Sequence, residues 1–245
     1  MKRLHPAAEQ GFARAAGEYR RGRPGYPPAA IEYLAERLGL GPGRIVVDLA
    51  AGTGALTRPL LELGCDVIAV EPLAEMRAEL PAEARALDGT AERIPLPGAA
   101  ADAVTVAQAF HWFDGDAALA EIRRVLRPGA ALALLWNRRV EDDPVNAAIE
   151  ELVAPHRGAT PTHRGDWRAA FERTTLFGPL EERLFTNEHH QDADGLADRV
   201  ASISFISSLP AGRRERVIAA ARELAADGPV TVPYRTEVLV CDRRG

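Results

Sequence analysis

One stretch in the first quarter of the chain limits the possible folds more than any other: an apolar run, an acid and a glycine turn, in that order. Ile45 to Val47 is β-branched and bounded by turn residues, which predicts a buried parallel strand. Asp48 stands at its carboxyl end, and Gly52 and Gly54 follow. Leucines at mostly helical spacing come next, at positions 56, 60, 61 and 63. This strand–turn–helix unit predicts an open α/β sheet with a ligand outside the carboxyl ends of its strands.

The glycine turn does not fit a dinucleotide. The dinucleotide fingerprint Gly-x-Gly-x-x-Gly needs a third glycine for close helix packing, and Thr57 occupies that place. Asp48 is unfavourable beside a pyrophosphate but suits a ligand with a cationic end. Glu71 closes the next apolar run about 20 residues after Gly52, where an acid accepts both ribose hydroxyls. The two acids favour a positively charged adenosyl ligand, such as S-adenosylmethionine, over a phosphate-bearing one.

Pro59 lies inside the helix that follows the turn and removes a backbone donor there. The helix therefore either begins near Thr57 or is kinked at the proline.

Several ordered motifs resemble those of the class I S-adenosylmethionine-dependent methyltransferases. Val46 to Gly54 is similar to their motif I, and Val70-Glu71-Pro72 is similar to their ribose-binding acid. Further segments resemble the type 11 branch, and particularly the relatives of trans-aconitate methyltransferase: residues 12–27, 89–97, 107–113 and 121–129. The resemblance covers residues 12 to about 137 and, more loosely, the rest.

The resemblance implies an α/β fold: a Rossmann-like, doubly wound, seven-stranded sheet, mostly parallel, with an antiparallel C-terminal strand. Helices are expected on both faces, with a small cap or insertion after strand five. Four segments are expected: 1–27 as an N-terminal lid, 28–137 as the cofactor-binding core, 138–178 as a substrate-side insertion, and 179–245 as the completion of the core sheet. The implied cofactor is S-adenosylmethionine, with S-adenosylhomocysteine as product and no metal.

The cofactor-binding residues expected from the motifs and the resemblance are Asp48, Ala50, Gly52, Gly54, Glu71, Pro72, Met76, Thr90, Ala91, Gln108 and Ala109. Met76 either fills the core or lines the adenine pocket. Thr90 stands where the family often has an aspartate for adenine, and a hydroxyl accepts a weaker hydrogen bond than a carboxylate. Asp88 or Glu92 could substitute for it.

Phe110-His111-Trp112-Phe113 follows a strand predicted over residues 102–108, at the end where chemistry is expected. His111 is either a general base or, with Trp112, part of an aromatic wall. Methylation of a carboxylate needs no base, because that nucleophile is already ionised near neutral pH.

The N-terminal segment has two interpretations. It is either an arm packed over the sheet edge with half-buried tyrosines, or a lid that places Tyr19, Arg23 and Tyr26 near the cofactor or the substrate. The resemblance favours the lid. Arg20, Arg23 and Arg138 near the predicted mouth favour a carboxylate acceptor, since guanidinium groups match carboxylate geometry.

The remaining elements are predicted from periodicity and turn signals. A helix capped by Asp114 or Asp116 should end at Arg127-Pro-Gly129. The other expected elements are strands over 130–136 and 180–186, helices over 196–209 and 217–224, and an edge strand over 231–240. His189 and His190 should be solvated, because adjacent residues of an extended chain point to opposite faces and no metal-site pattern surrounds them.

Composition narrows the function classes. A net charge of −5 argues against nucleic acid as the main partner. Cys65 and Cys241 are isolated, which indicates a reducing compartment. We find neither a membrane-spanning run nor a secretory leader in the sequence, so a cytoplasmic monomer or homodimer that acts on a small molecule is expected.

The sequence therefore predicts a methyltransferase that works by in-line displacement, with carboxylate O-methylation favoured. Alternatives are C- or N-methylation of another small molecule, a non-catalytic S-adenosylmethionine-binding protein, and a nicotinamide oxidoreductase, against which Thr57 argues.

Overall fold

The computed structural model of the chain describes residues 16–158, 160 and 166–245, and seven strands in this part of the chain form one sheet. The strands are β1 (Ile45–Leu49), β2 (Asp66–Val70), β3 (Arg85–Leu87), β4 (Ala101–Ala107), β5 (Leu126–Arg139), β6 (Glu181–Gln191) and β7 (Val230–Asp242). Their spatial order is β3-β2-β1-β4-β5-β7-β6.

Helices connect these strands. They are α1 (Ala16–Gly22), α2 (Pro28–Leu38), α3 (Thr57–Glu62), α4 (Ala74–Arg77), α5 (Gly115–Val125), α6 (Pro144–Val153), α7 (Arg168–Arg173), α8 (Ala193–Ala201), α9 (Ser204–Ser207) and α10 (Ala211–Glu223). Short 3₁₀ turns cover Phe110–Trp112 and Ala154–His156. Because α3 begins at Thr57, Pro59 lies in its first turn, where a missing N–H does little harm.

The sheet is parallel except at β7. β1 pairs in parallel with both β2 and β4, and β4 pairs in parallel with β5. The backbone N–H of Val140, directly after β5, donates to the carbonyl of Pro233 in β7, and that of Arg243, directly after β7, donates to the carbonyl of Ala130 in β5. Rising residue numbers in β5 thus meet falling numbers in β7, which makes β7 antiparallel. The predicted seven-stranded, doubly wound fold is confirmed.

The predicted placement of β7 at the edge of the sheet is wrong. β7 lies between β5 and β6, and β6 is the outermost strand. The alternating pattern of β7 led to the expectation of an edge. In fact Val238, Leu239 and Val240 are all buried, as in a strand covered on both faces.

Both faces of the sheet are covered by apolar clusters. Val46 belongs to a cluster with Leu34 of α2 and Leu60 of α3. Its neighbour Val47 belongs to a different cluster, with Leu119 and Ile122 of α5. Successive residues of a strand point to opposite faces, so helices cover both sides of β1, as doubly wound folds require.

The chain divides into two compact units. We call the first the strand-rich unit: Tyr26–Trp136, Pro161–Phe185 and Thr236–Gly245. The second, the helical unit, comprises Met1–Gly25, Asn137–Thr160 and Thr186–Arg235. The helical unit has its own apolar core, formed by residues such as Ile149, Leu196, Val200, Val217 and Tyr234.

Two predicted element ends differ from the structure. Helix α5 ends at Val125, and β5 already begins at Leu126, so Pro128 and Gly129 lie within the strand. The register between β4 and β5 shifts between Ala101 and Ala103, which marks a bulge where such residues are tolerated. The single helix expected over 196–209 is two helices, α8 and α9, separated at Ser202 and Ile203.

Candidate functional site

The turn after β1 has an alternating left-handed backbone. Ala50, Gly52 and Gly54 have φ angles of 56°, 58° and 83°. Glycine adopts this conformation without strain, whereas a left-handed alanine is uncommon. A Cβ at Gly54 would also stand 2.9 Å from Cδ of Pro81, so this position needs glycine for space as well as for φ.

Glu71, immediately after β2, ties the ends of β1 and β2 together. Its side chain accepts the backbone N–H of Gly52 at one oxygen and that of Leu73 at the other, each at 2.9 Å. Only 5% of the residue is exposed, and burial raises the pKa of the carboxyl while the two N–H groups lower it. Each carboxylate oxygen has two lone pairs, so each retains one for a ligand hydroxyl.

Asp48 lies at the carboxyl end of β1 but is enclosed, with 1% exposed. Oγ1 of Thr57 donates to its Oδ2 at 2.7 Å, and Oγ1 of Thr105 donates to its Oδ1 at 3.2 Å. Burial raises the pKa of Asp48 to about 6; the two hydroxyls lower it, and the charge of Glu71 raises it. The carboxylate of Asp48 therefore contacts Thr57 and Thr105 rather than solvent.

Sequence reasoning missed Thr57 and Thr105 as partners of Asp48. Thr57 entered only as the residue that breaks the dinucleotide fingerprint, yet its hydroxyl anchors the acid. Thr105 is fully buried inside β4 and is the register partner of Asp48 across the β1–β4 pair. A threonine among the apolar residues of 103–107 was the available signal.

Two arginines brace the turn and were also missed. Arg58 donates from Nη1 to the carbonyl of Thr53 at 2.8 Å and from Nη2 to that of Glu79 at 3.1 Å. Arg77 donates to the carbonyl of Glu71 at 2.6 Å. Nothing in the sequence spacing distinguishes these arginines from surface ones.

The end of β4 carries a second strained position. Gln108 has a φ of 59°, and its N–H donates to the carbonyl of Leu135 at 2.8 Å. Ala109 beside it is buried. Ala50 and Gln108 thus place left-handed, non-glycine residues at the ends of two neighbouring strands. Such strain clusters at functional sites.

An aromatic wall follows Gln108. The rings of His111 and Trp112 are 5.1 Å apart, and both residues are half-buried. Phe110 anchors the 3₁₀ turn beneath them, with its ring 5.0 Å from Phe171 and 6.0 Å from Trp167.

The loop after β3 is closed by a bridge between Thr90 and Arg93, whose N–H donates to the Thr90 carbonyl at 3.1 Å. Ala91 is buried and Thr90 is half-buried. Of the two acids considered as substitutes at this place, Glu92 accepts the backbone N–H of Asp114 at 3.0 Å. The side chain of Asp88 is 74% exposed.

Met76 of α4 is buried, and Pro72 is half-buried directly after Glu71.

The expected lid residues lie in different units. In the helical unit Arg23 donates from Nε to Oγ of Ser202 and from Nη2 to its carbonyl, at 3.1 and 3.0 Å. In the strand-rich unit Tyr26 packs against the apolar cluster that contains Leu34. Arg138 is half-buried near the end of β5. The side chain of Tyr19 lies outside the described part of the chain, as do residues 1–15 of the expected lid.

Comparison with known proteins decides the family. Residues 47–134 match a family model described as a methyltransferase domain. An uncharacterized methyltransferase of Mycobacterium bovis is 40% identical over 246 residues, covering 95% of this chain and 94% of its own. The chain belongs to the class I S-adenosylmethionine-dependent methyltransferases.

Two further proteins that are similar to this chain are methyltransferases by name. A solved structure of a type II methyltransferase from Anaeromyxobacter dehalogenans is 26% identical, with a TM-score of 0.60, covering 90% of this chain and 96% of its own. The demethylmenaquinone methyltransferase of Thermus thermophilus is 39% identical over 100 residues, 37% of this chain and 46% of its own.

The geometry fits the cofactor that the family uses. The free lone pairs of Glu71 suit ribose hydroxyls, and the acid beneath the turn suits a ligand with ammonium and sulfonium groups. Among the described residues, no helix is long and apolar enough to cross a membrane, and no cluster of three or more His, Cys, Asp or Glu side chains is placed to hold a metal ion.

Proposed function

We propose that this methyltransferase binds S-adenosylmethionine on the turn after β1 and methylates a small-molecule acceptor. The observation that carries the proposal is the Glu71 carboxylate, which clamps Gly52 and keeps a lone pair free on each oxygen. Glu71 would hold the ribose, with Pro72 and Met76 beside it. The turn residues Ala50, Gly52 and Gly54 would take the methionine end above Asp48; Thr90, Ala91, Gln108 and Ala109 would enclose the adenosyl group.

The bound cofactor supplies a methyl group activated by a sulfonium for in-line displacement. The residues of the chain then have to bind, orient and exclude water, and alignment of this kind supplies about 7–11 kcal/mol in the best intramolecular systems. The strained backbone at Ala50 and Gln108 fits such a role, because it fixes the chain at the ends of two adjacent strands.

A carboxylate is the acceptor that we favour. It is ionised at neutral pH, so a site without a dedicated base is sufficient. In this proposal His111 and Trp112 form a wall of the acceptor pocket, in keeping with their ring contact. The resemblance to the relatives of trans-aconitate methyltransferase supports the same class of acceptor, and Tyr19, Arg23, Tyr26 and Arg138 remain the proposed substrate-side residues.

Methylation at carbon or nitrogen is the second candidate. Its support is the relative from Thermus thermophilus that is named for demethylmenaquinone. A carbon or nitrogen acceptor generally has a proton to lose, and His111 would then serve as general base.

The cofactor site is tested by calorimetric titration with S-adenosylhomocysteine. Glu71→Ala and Gly52→Val should each weaken binding at least tenfold, whereas Glu75→Ala, an exposed acid four residues beyond Glu71, should bind as wild type does. Circular dichroism checks that the variants are folded. Unchanged affinity in both site variants would refute the assignment.

The acceptor is tested by incubation with methyl-labelled donor and a panel of carboxylic acids, phenols, quinols and amines. A methyl ester releases labelled methanol in mild base, whereas C- and N-methyl products retain the label. Volatile label and an active His111→Gln variant would support the carboxylate. Stable label on a carbon or nitrogen atom of the product, together with an inactive His111→Gln variant, would support the second candidate. Binding without transfer to any acceptor would indicate a non-catalytic protein.

A further inference from the structure

The helical unit buries an arginine without an acidic partner. Arg199 of α8 is 7% exposed; its Nε donates to Oη of Tyr234 at 2.9 Å, and its guanidinium lies 6.0 Å from the centre of that ring. In the described part of the chain no carboxylate forms an ion pair with it, and its Nη1 is buried without a hydrogen-bond acceptor. A buried guanidinium normally has both an acidic partner and an acceptor for each N–H group.

A second arginine lies close to the first. Arg139, near the end of β5, donates from Nη2 to Glu150 at 2.6 Å, while its Nη1 is also buried without an acceptor. Burial, and after it the positive charge of Arg199, lower the pKa of Arg139. Glu150 also pairs with Arg157, so one carboxylate serves two of the three arginines.

His189 adds a third N–H to this cluster. The amide Nε2 of Gln191 donates to the carbonyl of His190 at 2.9 Å and lies 2.7 Å from Nε2 of His189. That contact requires Nε2 of His189 to accept, which places the imidazole proton on Nδ1. Nδ1 is buried without a partner.

The expectation that His189 is solvated is therefore wrong. It is half-buried, and its pKa falls to about 4, because burial and the charge of Arg199 disfavour a second proton. The sequence showed two adjacent histidines on a strand, but the contact of His189 with Gln191 and the effect of the Arg199 charge on it arise only in the folded chain.

We infer that Arg139, Arg199 and His189 form a binding site for a small oxyanion, a carboxylate or phosphate group, and that this site shares no residue with the proposed cofactor site. All three residues meet the same stretch of β7: Arg199 donates to Tyr234, Val140 beside Arg139 donates to Pro233, and His190 beside His189 contacts Thr231. Each of the three has a buried N–H without an acceptor, and among the described residues only Glu150 offsets the positive charge. An oxyanion supplies both the acceptors and the compensating charge. The side chain of Arg139 is 21% exposed and provides access.

The site is tested by thermal unfolding of the full chain in sodium phosphate, sodium acetate and sodium chloride at equal ionic strength. We expect phosphate or acetate to raise the midpoint saturably above chloride, and the better of the two identifies the group. Arg199→Gln should abolish this difference. Arg222→Gln, which removes an exposed arginine of the same unit that pairs with Asp194, should retain it.

Nuclear magnetic resonance of the wild-type protein, labelled with ¹⁵N in histidine, provides a second readout that does not depend on the Arg199→Gln variant. The Nδ1–H resonance of His189, assigned with His189→Gln, should shift on titration with the same anion. Equal midpoints in all three salts, or a His189 resonance that phosphate and acetate leave unmoved, would overturn the inference. Neither readout uses methyl donor or acceptor, so this failure would leave the proposed function standing.

Discussion

Asp48 links the stability of this methyltransferase to pH. Its carboxyl is fully buried, and its pKa is about 6 in the folded chain against an ordinary value of 3.8. Between these values the folded state holds a proton that the unfolded state has lost, so stability falls as pH rises from about 4 to 6. The shift corresponds to about 3 kcal/mol.

We therefore expect Asp48→Asn to become more stable relative to wild type as the pH rises, with the difference between the two growing by about 3 kcal/mol from pH 4 to pH 7. Chemical denaturation at a series of pH values measures it. Asp66→Asn, at an exposed aspartate that begins β2, serves as the control and should follow the wild-type profile. If the free energies of unfolding of Asp48→Asn and wild type changed in parallel with pH, the pKa of Asp48 would not differ between the folded and unfolded states.

Ala50 holds a left-handed backbone that a glycine adopts freely. A non-glycine residue in this region is strained by about 1–2 kcal/mol, and a glycine removes this strain. Part of the gain is offset, because glycine also increases the conformational entropy of the unfolded chain. Ala50→Gly should therefore stabilise the protein by about 0.5–1 kcal/mol in chemical denaturation. Ala51→Gly, at a position without a positive φ, should destabilise it, and a loss of stability in Ala50→Gly would contradict the strain.

At the scale of elements, the described part of the expected lid is a packed helix. A Cβ at Gly22, the last residue of α1, would stand 2.3 Å from the backbone nitrogen of Arg199 and 2.4 Å from the carbonyl carbon of Asp198 in α8. Backbone atoms do not move aside as a flexible side chain would. Gly22 therefore sets how closely α1 approaches α8.

We expect Gly22→Ala to destabilise the helical unit by about 1–3 kcal/mol, as overpacking does, although alanine favours a helix. Hydrogen exchange of the α1 amides and chemical denaturation measure the effect. Gly17→Ala lies in the same helix, and its Cβ would meet only a flexible arginine end at 3.4 Å, so that variant should gain stability. Equal responses of the two variants would contradict the close packing.

The boundaries of elements were predictable where a local signal controls them. Asp114 caps α5 as its residue type suggests, since its side chain accepts the N–H of Ala117 at 3.4 Å. The break between α8 and α9 depends instead on Ser202, which donates to the carbonyl of Arg199 and accepts from Arg23, far away in sequence. The spacing of apolar residues over 196–209 does not indicate the long-range hydrogen bond between Arg23 and Ser202.

The same contrast between local signals and long-range contacts applies to the candidate site. Glu71 and Gly52 could be predicted as site residues, because each follows a predicted parallel strand and such strand ends bind ligands in open α/β sheets. The bond between them is a consequence of the parallel β1–β2 register. The roles of Arg58 and Arg77 depend on carbonyl groups that only the folded turn brings together, so the sequence offered no signal for them.

At the scale of the whole molecule, the two units differ in their content of tryptophan, whose fluorescence reports on unfolding. All three tryptophans, Trp112, Trp136 and Trp167, lie in the strand-rich unit, which also contains Glu71 and the turn after β1. Tryptophan fluorescence therefore follows the unfolding of the unit that holds the proposed cofactor residues.

S-adenosylhomocysteine should stabilise that unit by mass action, because a ligand that binds only the folded state adds RT ln(1 + [L]/Kd) to the free energy of unfolding. At a hundredfold excess over Kd the gain is about 2.7 kcal/mol, which fluorescence-detected denaturation resolves. Glu71→Ala should lose the gain, since the ribose hydroxyls would lack their acceptor, whereas Glu75→Ala should retain it. A gain that survives in Glu71→Ala would mean that the ligand binds away from β2, and the site at the ends of β1 and β2 would then have to be abandoned.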